Sequence, residues 1–192
     1  MFALRSPSPE RRSHFLARER VAPLTYTDVG ASLAPSDGAL PHGYHHAHGT
    51  MVVGHGERDF ARAVEGIRRF VPLMAAGIDV FPTDAPIAVG TTVGLVMRVG
   101  PAHALAACRI VAVVDEPSRG GFAYGTLPSH PATGEELFVA TLEPNDDVRF
   151  DVVAFSNPHD LLTRAGAPIA RRVQARAARK YLEGLREYVS AT

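Results

Sequence analysis

Short apolar segments separated by turn-forming residues fill the chain from Ile78 to Ser156. The separators are runs such as Val99-Gly100-Pro101 and the Pro-Asn-Asp-Asp stretch at 144–147. Because links this short join strands that run in opposite directions, we expect one antiparallel meander. The predicted strands cover Ile78–Phe81, Thr91–Val99, Leu105–Asp115, Phe122–Leu127, Glu135–Glu143 and Val148–Ser156, with an earlier one at Thr50–Val53.

Two amphipathic helices flank the predicted meander. The first covers Glu57–Ala75, frays after Pro72, and has apolar residues three and four positions apart, at Phe60, Val64, Ile67 and Val71. A short helix over Pro158–Ala165 is followed by a long one from Pro168 to Val189, whose apolar stripe is Ile169, Val173, Ala177, Tyr181, Leu185 and Tyr188. Only the sheet offers a surface large enough to bury that stripe.

The order of these elements predicts an α+β protein of the helix-grip type. A curved antiparallel sheet would wrap around the long C-terminal helix, with the shorter N-terminal helix beside it. A sheet curved around one helix leaves an interior that is difficult to fill, so we expect an apolar cavity between sheet and helix.

The chain is expected to form one domain over residues 21–192. Residues 1–20 mix Arg, Ser, Pro and Glu without sustained periodicity, which predicts a mobile arm or a short surface helix. Phe15 and Leu16 would give this segment apolar area to bury. A short edge strand is also predicted at Leu24-Thr25-Tyr26-Thr27.

The composition argues against several classes of function. Acidic and basic residues balance at 20 each, so no net field recruits nucleic acid or an anionic membrane. Cys108 is the only cysteine, which excludes an internal disulfide framework and a thiolate zinc site. With no apolar run of membrane-spanning length, we expect a soluble cytoplasmic protein, monomeric or homodimeric, without a cofactor.

Most of the polar residues with possible chemistry lie in the run GGFAYGTLPSHPATGEELF, from Gly120 to Phe138. It reads as two strands joined by a loop that prolines at 128 and 131 make stiff. Tyr124, His130 and a pair of glutamates would then gather at one end of the sheet.

The sequence of this run resembles the hallmark of DUF1990, an uncharacterised family found in bacteria and plants. Matching segments elsewhere extend the resemblance from Pro23 to Arg186; they are Leu24-Thr25-Tyr26, Val29-Gly30, Gly54-His55-Gly56 with Phe60 and Ala61, Cys108-Arg109-Ile110-Val111 and Ala154-Phe155-Ser156. The resemblance implies the helix-grip architecture of START-like and plant-allergen-like proteins, and it implies no settled activity.

Glu135 and Glu136 are adjacent on a predicted strand and therefore point to opposite faces. Glu136 shares its face with Phe138, Ala140 and Leu142, the more interior-like set, so it is predicted to face the cavity. If unpaired there, it would have a raised pKa. The alternative, which we favour because buried carboxylates are usually paired, is an ion pair with Arg109 or with an arginine of the last helix.

Tyr124, His130 and Glu136 are the candidate catalytic residues. A phenol and an imidazole near a carboxylate could polarise a carbonyl and move a proton. The structural alternative gives Tyr124 a backbone partner and makes His130 a cap of its loop, and the sequence leaves the choice open. Cys108 lies in mid-strand among small apolar residues, which is typical of a buried inert thiol.

A second cluster of polar residues is His42, His45, His46 and His48. Imidazoles this close together could hold zinc, nickel or copper. Their spacing matches no known ligand motif and no acidic residue is adjacent, so we expect no bound metal and keep these four as weak candidates.

Three functions remain open. The first is a binding module that holds a hydrophobic or amphipathic small molecule between sheet and helix, with Arg109, Tyr124, Glu136, Phe138 and Tyr181 as its ligand-binding residues. The second is an enzyme of cyclase, dehydratase or hydrolase type that uses Tyr124, His130 and Glu136 as acid and base. The third is an interaction protein whose core is filled by its own side chains.

Overall fold

The structure is a computed structural model that describes residues 2–3, 7–34, 40–99, 102–158 and 167–191. In this part of the chain it has the strands β1 (Phe2–Ala3), β2 (His45–His55), β3 (Ile78–Phe81), β4 (Thr92–Val99), β5 (Ala102–Glu116), β6 (Arg119–Thr126), β7 (Ala132–Leu142) and β8 (Asp147–Pro158). Its helices are α1 (Pro9–Glu19), α2 (Gly56–Arg68), α3 (Val71–Ala75) and α4 (Ala167–Ser190), whose side chains are described from residue 176 onward.

All strands belong to one antiparallel sheet in the order β2-β8-β7-β6-β5-β4-β3, and β1 pairs with one end of β5. Strands β3 to β8 follow one another as neighbours, which confirms the predicted meander. The strand predicted at Thr50–Val53 is part of the longer β2, which pairs with β8 and forms one edge. The short links explain this topology because each allows only an antiparallel return.

Helices α2, α3 and α4 cover one face of the sheet, called the inner face below. Ile67, Leu73 and Leu185 bring the three helices into one buried core with the strands. The close approach of α2 and α4 depends on Gly66, because a Cβ there would lie only 2.8 Å from side-chain atoms of Leu185 and Tyr188. This arrangement confirms the predicted helix-grip fold, an antiparallel sheet around a long C-terminal helix.

The N-terminal segment covers part of the opposite face, called the outer face. Ser8 caps α1 by accepting a hydrogen bond from the backbone N–H of Arg11 at 3.4 Å, and Phe15 and Leu16 are buried against the sheet. Within the segment 1–20, for which a mobile arm or a short surface helix was predicted, residues Pro9–Glu19 are helical. The chain then crosses the outer face to a 3₁₀ turn at Ala31–Leu33.

Some predicted elements differ from the observed ones. The helix predicted over Glu57–Ala75 is two helices, because Phe70 adopts a left-handed backbone conformation (φ 58°) that breaks the run. Burial compensates for that unfavourable conformation, since the Phe70 ring packs edge-on against Phe122 at 5.5 Å. Residues 24–27, predicted as an edge strand, are not a strand. The helix predicted over Pro158–Ala165 lies outside the described residues.

Candidate functional site

Strand alternation on β7 separates the two glutamates as the sequence predicts. Glu136 lies on the inner face with Phe138 and Ala140, which belong to the core beneath the helices. Glu135 lies on the outer face with Leu137 and Val139, part of a separate apolar cluster. The two carboxylates therefore have different surroundings although they are neighbours in sequence.

Glu136 has one hydrogen-bond partner among the described residues. Tyr124 stands directly opposite on β6, and its hydroxyl donates to Oε2 of Glu136 at 2.7 Å. The other oxygen, Oε1, accepts no hydrogen bond from this part of the chain, and the ion pairs found there do not include Glu136. Burial raises the pKa of Glu136 from 4.5 to about 7, although the bond from Tyr124 acts to lower it.

Aromatic rings surround this pair on the inner face. The Phe138 ring lies 5.5 Å from the ring of Tyr124 and 5.5 Å from that of Tyr181 on α4. Burial, and secondarily the negative charge of Glu136, raises the pKa values of Cys108, Tyr124 and Tyr181. We call these five residues, Cys108, Tyr124, Glu136, Phe138 and Tyr181, the Glu136 site.

Small side chains continue the same row of the sheet towards its β2 edge. Ala154 on β8 is the register partner of Glu136, and Ala47 on β2 is the partner of Ala154. Exposure rises along this row: Tyr124 is buried, Glu136 and Ala154 are partly exposed, and Ala47 is exposed. The side of Glu136 that faces β2 is therefore bordered by small, partly exposed or exposed side chains.

The structure brings together four of the five predicted ligand-binding residues, Tyr124, Glu136, Phe138 and Tyr181. Arg109 is on the outer face and is not part of the site. Its Nη2 donates to the backbone carbonyls of Glu19, Arg20 and Ala22, at 3.2, 3.0 and 2.9 Å, so it caps the C-terminal end of α1.

His130 belongs to the β6–β7 loop. Its Nδ1 lies 3.0 Å from the carbonyl oxygen and 3.1 Å from the backbone nitrogen of Ala132. Glu136 lies four residue steps further along the strand than Ala132, roughly 13 Å away. These two contacts fit the loop-capping alternative for His130, and the acid and base chemistry described on the inner face is that of Tyr124 and Glu136.

Glu135 is the more fully satisfied carboxylate. Its Oε2 accepts hydrogen bonds from the hydroxyl of Tyr26 at 2.6 Å and the N–H of Gly30 at 2.7 Å. Its Oε1 accepts from the N–H of Ser32 at 2.9 Å and the Ser32 hydroxyl at 2.5 Å. We call Tyr26, Gly30, Ser32 and Glu135 the Glu135 cluster; it fastens the segment after α1 to the outer face.

The histidines of the second cluster have separate partners on the edge strand β2 and in the loop before it. Nε2 of His46 lies 2.9 Å from the carbonyl of Pro41, and Nε2 of His48 lies 3.0 Å from Oδ1 of Asp151. His42 and His45 are exposed, and alternation turns His45 away from its two neighbours on the strand. Within the ranges that the structure describes, no three His, Cys, Asp or Glu side chains are placed to hold a metal ion.

None of the helices described, α4 included, is both long and apolar enough to cross a membrane.

The fold and the inner-face site define a helix-grip protein with a partly exposed carboxyl group next to a cluster of aromatic rings. Solved structures that share the fold include a hypothetical protein from Helicobacter pylori (TM-score 0.57, 12% identity, 75% of this chain and 87% of that one) and a protein from Thermus thermophilus (TM-score 0.51, 14% identity, 77% and 97%).

The chain belongs to the family described as Domain of unknown function (DUF1990), whose model matches residues 25–184. A UPF0548 protein from Deinococcus radiodurans is 33% identical over 191 residues, covering 94% of this chain and 95% of the relative. A UPF0548 protein from Dictyostelium discoideum is 29% identical over 134 residues, covering 64% of this chain and 62% of the relative. The family therefore includes bacterial and eukaryotic members.

Sequence reasoning missed the roles of Tyr26, Ser32 and Ala154. No local pattern marks the contact of Tyr26 with Glu135, because 109 residues separate them. The position of Ala154 could have been predicted from strand alternation. It lies on the same face of β8 as Val152 and Phe150, and it is the smallest of the three side chains.

Proposed function

We propose that this protein binds a hydrophobic or amphipathic small molecule on the inner face of the sheet, beneath α4. Tyr124 and Glu136 hold the polar end of the ligand, and Phe138 and Tyr181 contact its apolar part. The main support for the proposal is the environment of Glu136. Its carboxyl group is partly exposed, lies next to aromatic rings, and has one hydrogen-bond partner in the described chain.

Two further features support a binding role over a filled core. Ala47 and Ala154 are small side chains on the row next to Glu136, in a face whose neighbouring row is filled by large rings such as Phe122 and Phe138. An apolar surface with a few polar groups at one end is the usual composition of a small-molecule site.

The test is native mass spectrometry of the protein purified from its own host. We expect a bound apolar molecule as excess mass, which organic extraction releases for identification. The Ala154→Leu variant should lose that mass, because three more carbon atoms occupy the space beside Glu136. The matched control is Ala61→Leu, which adds the same atoms to an exposed position on α2.

The result that would refute the proposal is a clean apo mass for the wild-type protein together with no uptake of added apolar molecules. That outcome would favour an interaction protein with a filled core.

A further inference from the structure

We propose that the ligand of the Glu136 site carries a protonated amine at the polar end of an apolar body. This inference rests on the proposed function and specifies the class of molecule that the site prefers. The inference is drawn from the arrangement of side chains at the site. Hydrogen-bond acceptors of Tyr124 and Glu136 lie next to aromatic rings, and no cation among the described residues pairs with Glu136.

The hydrogen-bond inventory of the pair determines which partner is complementary. The single proton of the Tyr124 hydroxyl is already donated to Oε2 of Glu136. What remains for a ligand is acceptor capacity: Oε1 of Glu136, which accepts no bond from the described residues, and the lone pairs of the Tyr124 oxygen. A ligand that meets these acceptors must bring its own donors, and an ammonium group has three.

Charge favours the same class of ligand. A partly buried carboxylate is stabilised when a positive charge compensates it, and none of the ion pairs in the described chain involves Glu136. Two kinds of basic partner were predicted for Glu136. Arg109 instead caps α1 on the other face of the sheet, and among the arginines of α4 the side chains of Arg171 and Arg172 lie outside the described residues. A cationic ligand would supply a positive charge that the described residues do not, whereas an anionic ligand would place two like charges together.

The aromatic residues add a second attraction for a cation. The Phe138 ring lies 5.5 Å from the ring of Tyr124, whose hydroxyl is bonded to Glu136, and 5.5 Å from the ring of Tyr181. The electron-rich face of an aromatic ring attracts ammonium groups most strongly where water is excluded. The same rings provide apolar area for the hydrocarbon part of such a molecule.

The experiment compares three molecules with the same eight-carbon chain, octylamine, octan-1-ol and octanoate, titrated into wild-type protein at about pH 8 by calorimetry. We expect octylamine to bind about ten- to a hundredfold more tightly than octanol, the range for a charge-assisted hydrogen bond, and octanoate to bind least. In Glu136→Gln the amine should lose this advantage, while octanol binding changes less than about threefold. Glu116→Gln, an exposed carboxylate on β5, is the matched control and should keep the wild-type order.

Each outcome bears on a different claim. Octanol or octanoate binding as tightly as octylamine would overturn the amine inference and leave the proposed function standing. An unchanged amine preference in a folded Glu136→Gln variant would also overturn it. Failure of all three molecules to bind would refute both proposals. The wild-type order needs no variant, so the test holds even if Glu136→Gln does not fold.

Discussion

Replacing Tyr26 by Phe tests whether the Glu135 cluster fastens the N-terminal segment to the sheet. The substitution removes one hydroxyl and keeps the ring, which packs edge-on against Phe155 at 5.6 Å. The lost group is the donor to Oε2 of Glu135 at 2.6 Å, a short bond between buried side chains. The ring contact therefore remains while one of the four hydrogen bonds to the carboxylate disappears.

The expected loss follows from the charge and burial of the acceptor. A hydrogen bond to a charged group contributes about 1.5–3 kcal/mol to the free energy of unfolding. Three other donors, from Gly30 and Ser32, still satisfy Glu135, so we expect Tyr26→Phe to cost about 2 kcal/mol. Glu135→Gln should cost about 3 kcal/mol or more, because its amide offers one acceptor oxygen where the four donors need two.

Urea unfolding of the variants measures both effects, and Tyr44→Phe is the matched control. The Tyr44 ring packs against the same Phe155 at 5.1 Å, and its hydroxyl makes no hydrogen bond to Glu135. We expect Tyr44→Phe to stay within about 0.5 kcal/mol of the wild type. The double variant of Tyr26 and Glu135 should lose less than the sum of the single losses, because both substitutions remove the same bond. Equal, small losses for Tyr26→Phe and Tyr44→Phe would refute this account of the cluster.

Three further predictions concern the same two faces. The pKa of Glu136 is raised from 4.5 to about 7 in the folded protein, so its contribution to stability is complete below about pH 4.5 and is lost as the pH rises through 7, by about 3 kcal/mol at most. Urea unfolding should therefore show a lower free energy of unfolding at about pH 8 than at about pH 5 in the wild type, and a smaller difference in Glu136→Gln. Gly125→Ala should displace the Tyr26 hydroxyl, since a Cβ there would collide with it, and its destabilisation should be much smaller in the Tyr26→Phe background. Arg109→Lys should speed amide hydrogen exchange in α1 by about tenfold or more, because the lysine side chain is one atom shorter and its nitrogen falls short of the carbonyls that Nη2 of Arg109 reaches. Unchanged exchange would contradict the capping role.

The sequence predicted the sheet well because its signals are local. Turn residues mark the ends of β3 to β8, and the period of two assigns neighbouring residues to opposite faces. That period correctly placed Glu136 inside and Glu135 outside, and it grouped Phe138 and Ala140 with the inner core. The stripe of α4 predicted Tyr181 and Leu185 as buried residues in the same way.

What the sequence could not show depends on contacts between distant segments. Residue type suggested that Arg109 would pair with a carboxylate, and only the path of the chain after α1 reveals three carbonyls within its reach. The break between α2 and α3 at Phe70 also depends on a distant contact. The helical spacing of apolar residues continues through Phe70, and the burial that stabilises its left-handed backbone comes from its contact with Phe122 on β6.

The contrast between the two glutamates separates a structural role from a functional one by a physical criterion. Glu135 has an acceptor site filled on each oxygen, by Tyr26, Gly30 and Ser32, and so has nothing to offer a ligand. Glu136 is bonded through one oxygen and stands next to the small side chain of Ala154. Substitution of Glu135 should therefore reduce stability with little specific effect on ligand preference once the protein is folded. Substitution of Glu136 should change ligand preference while removing a destabilising charge at alkaline pH.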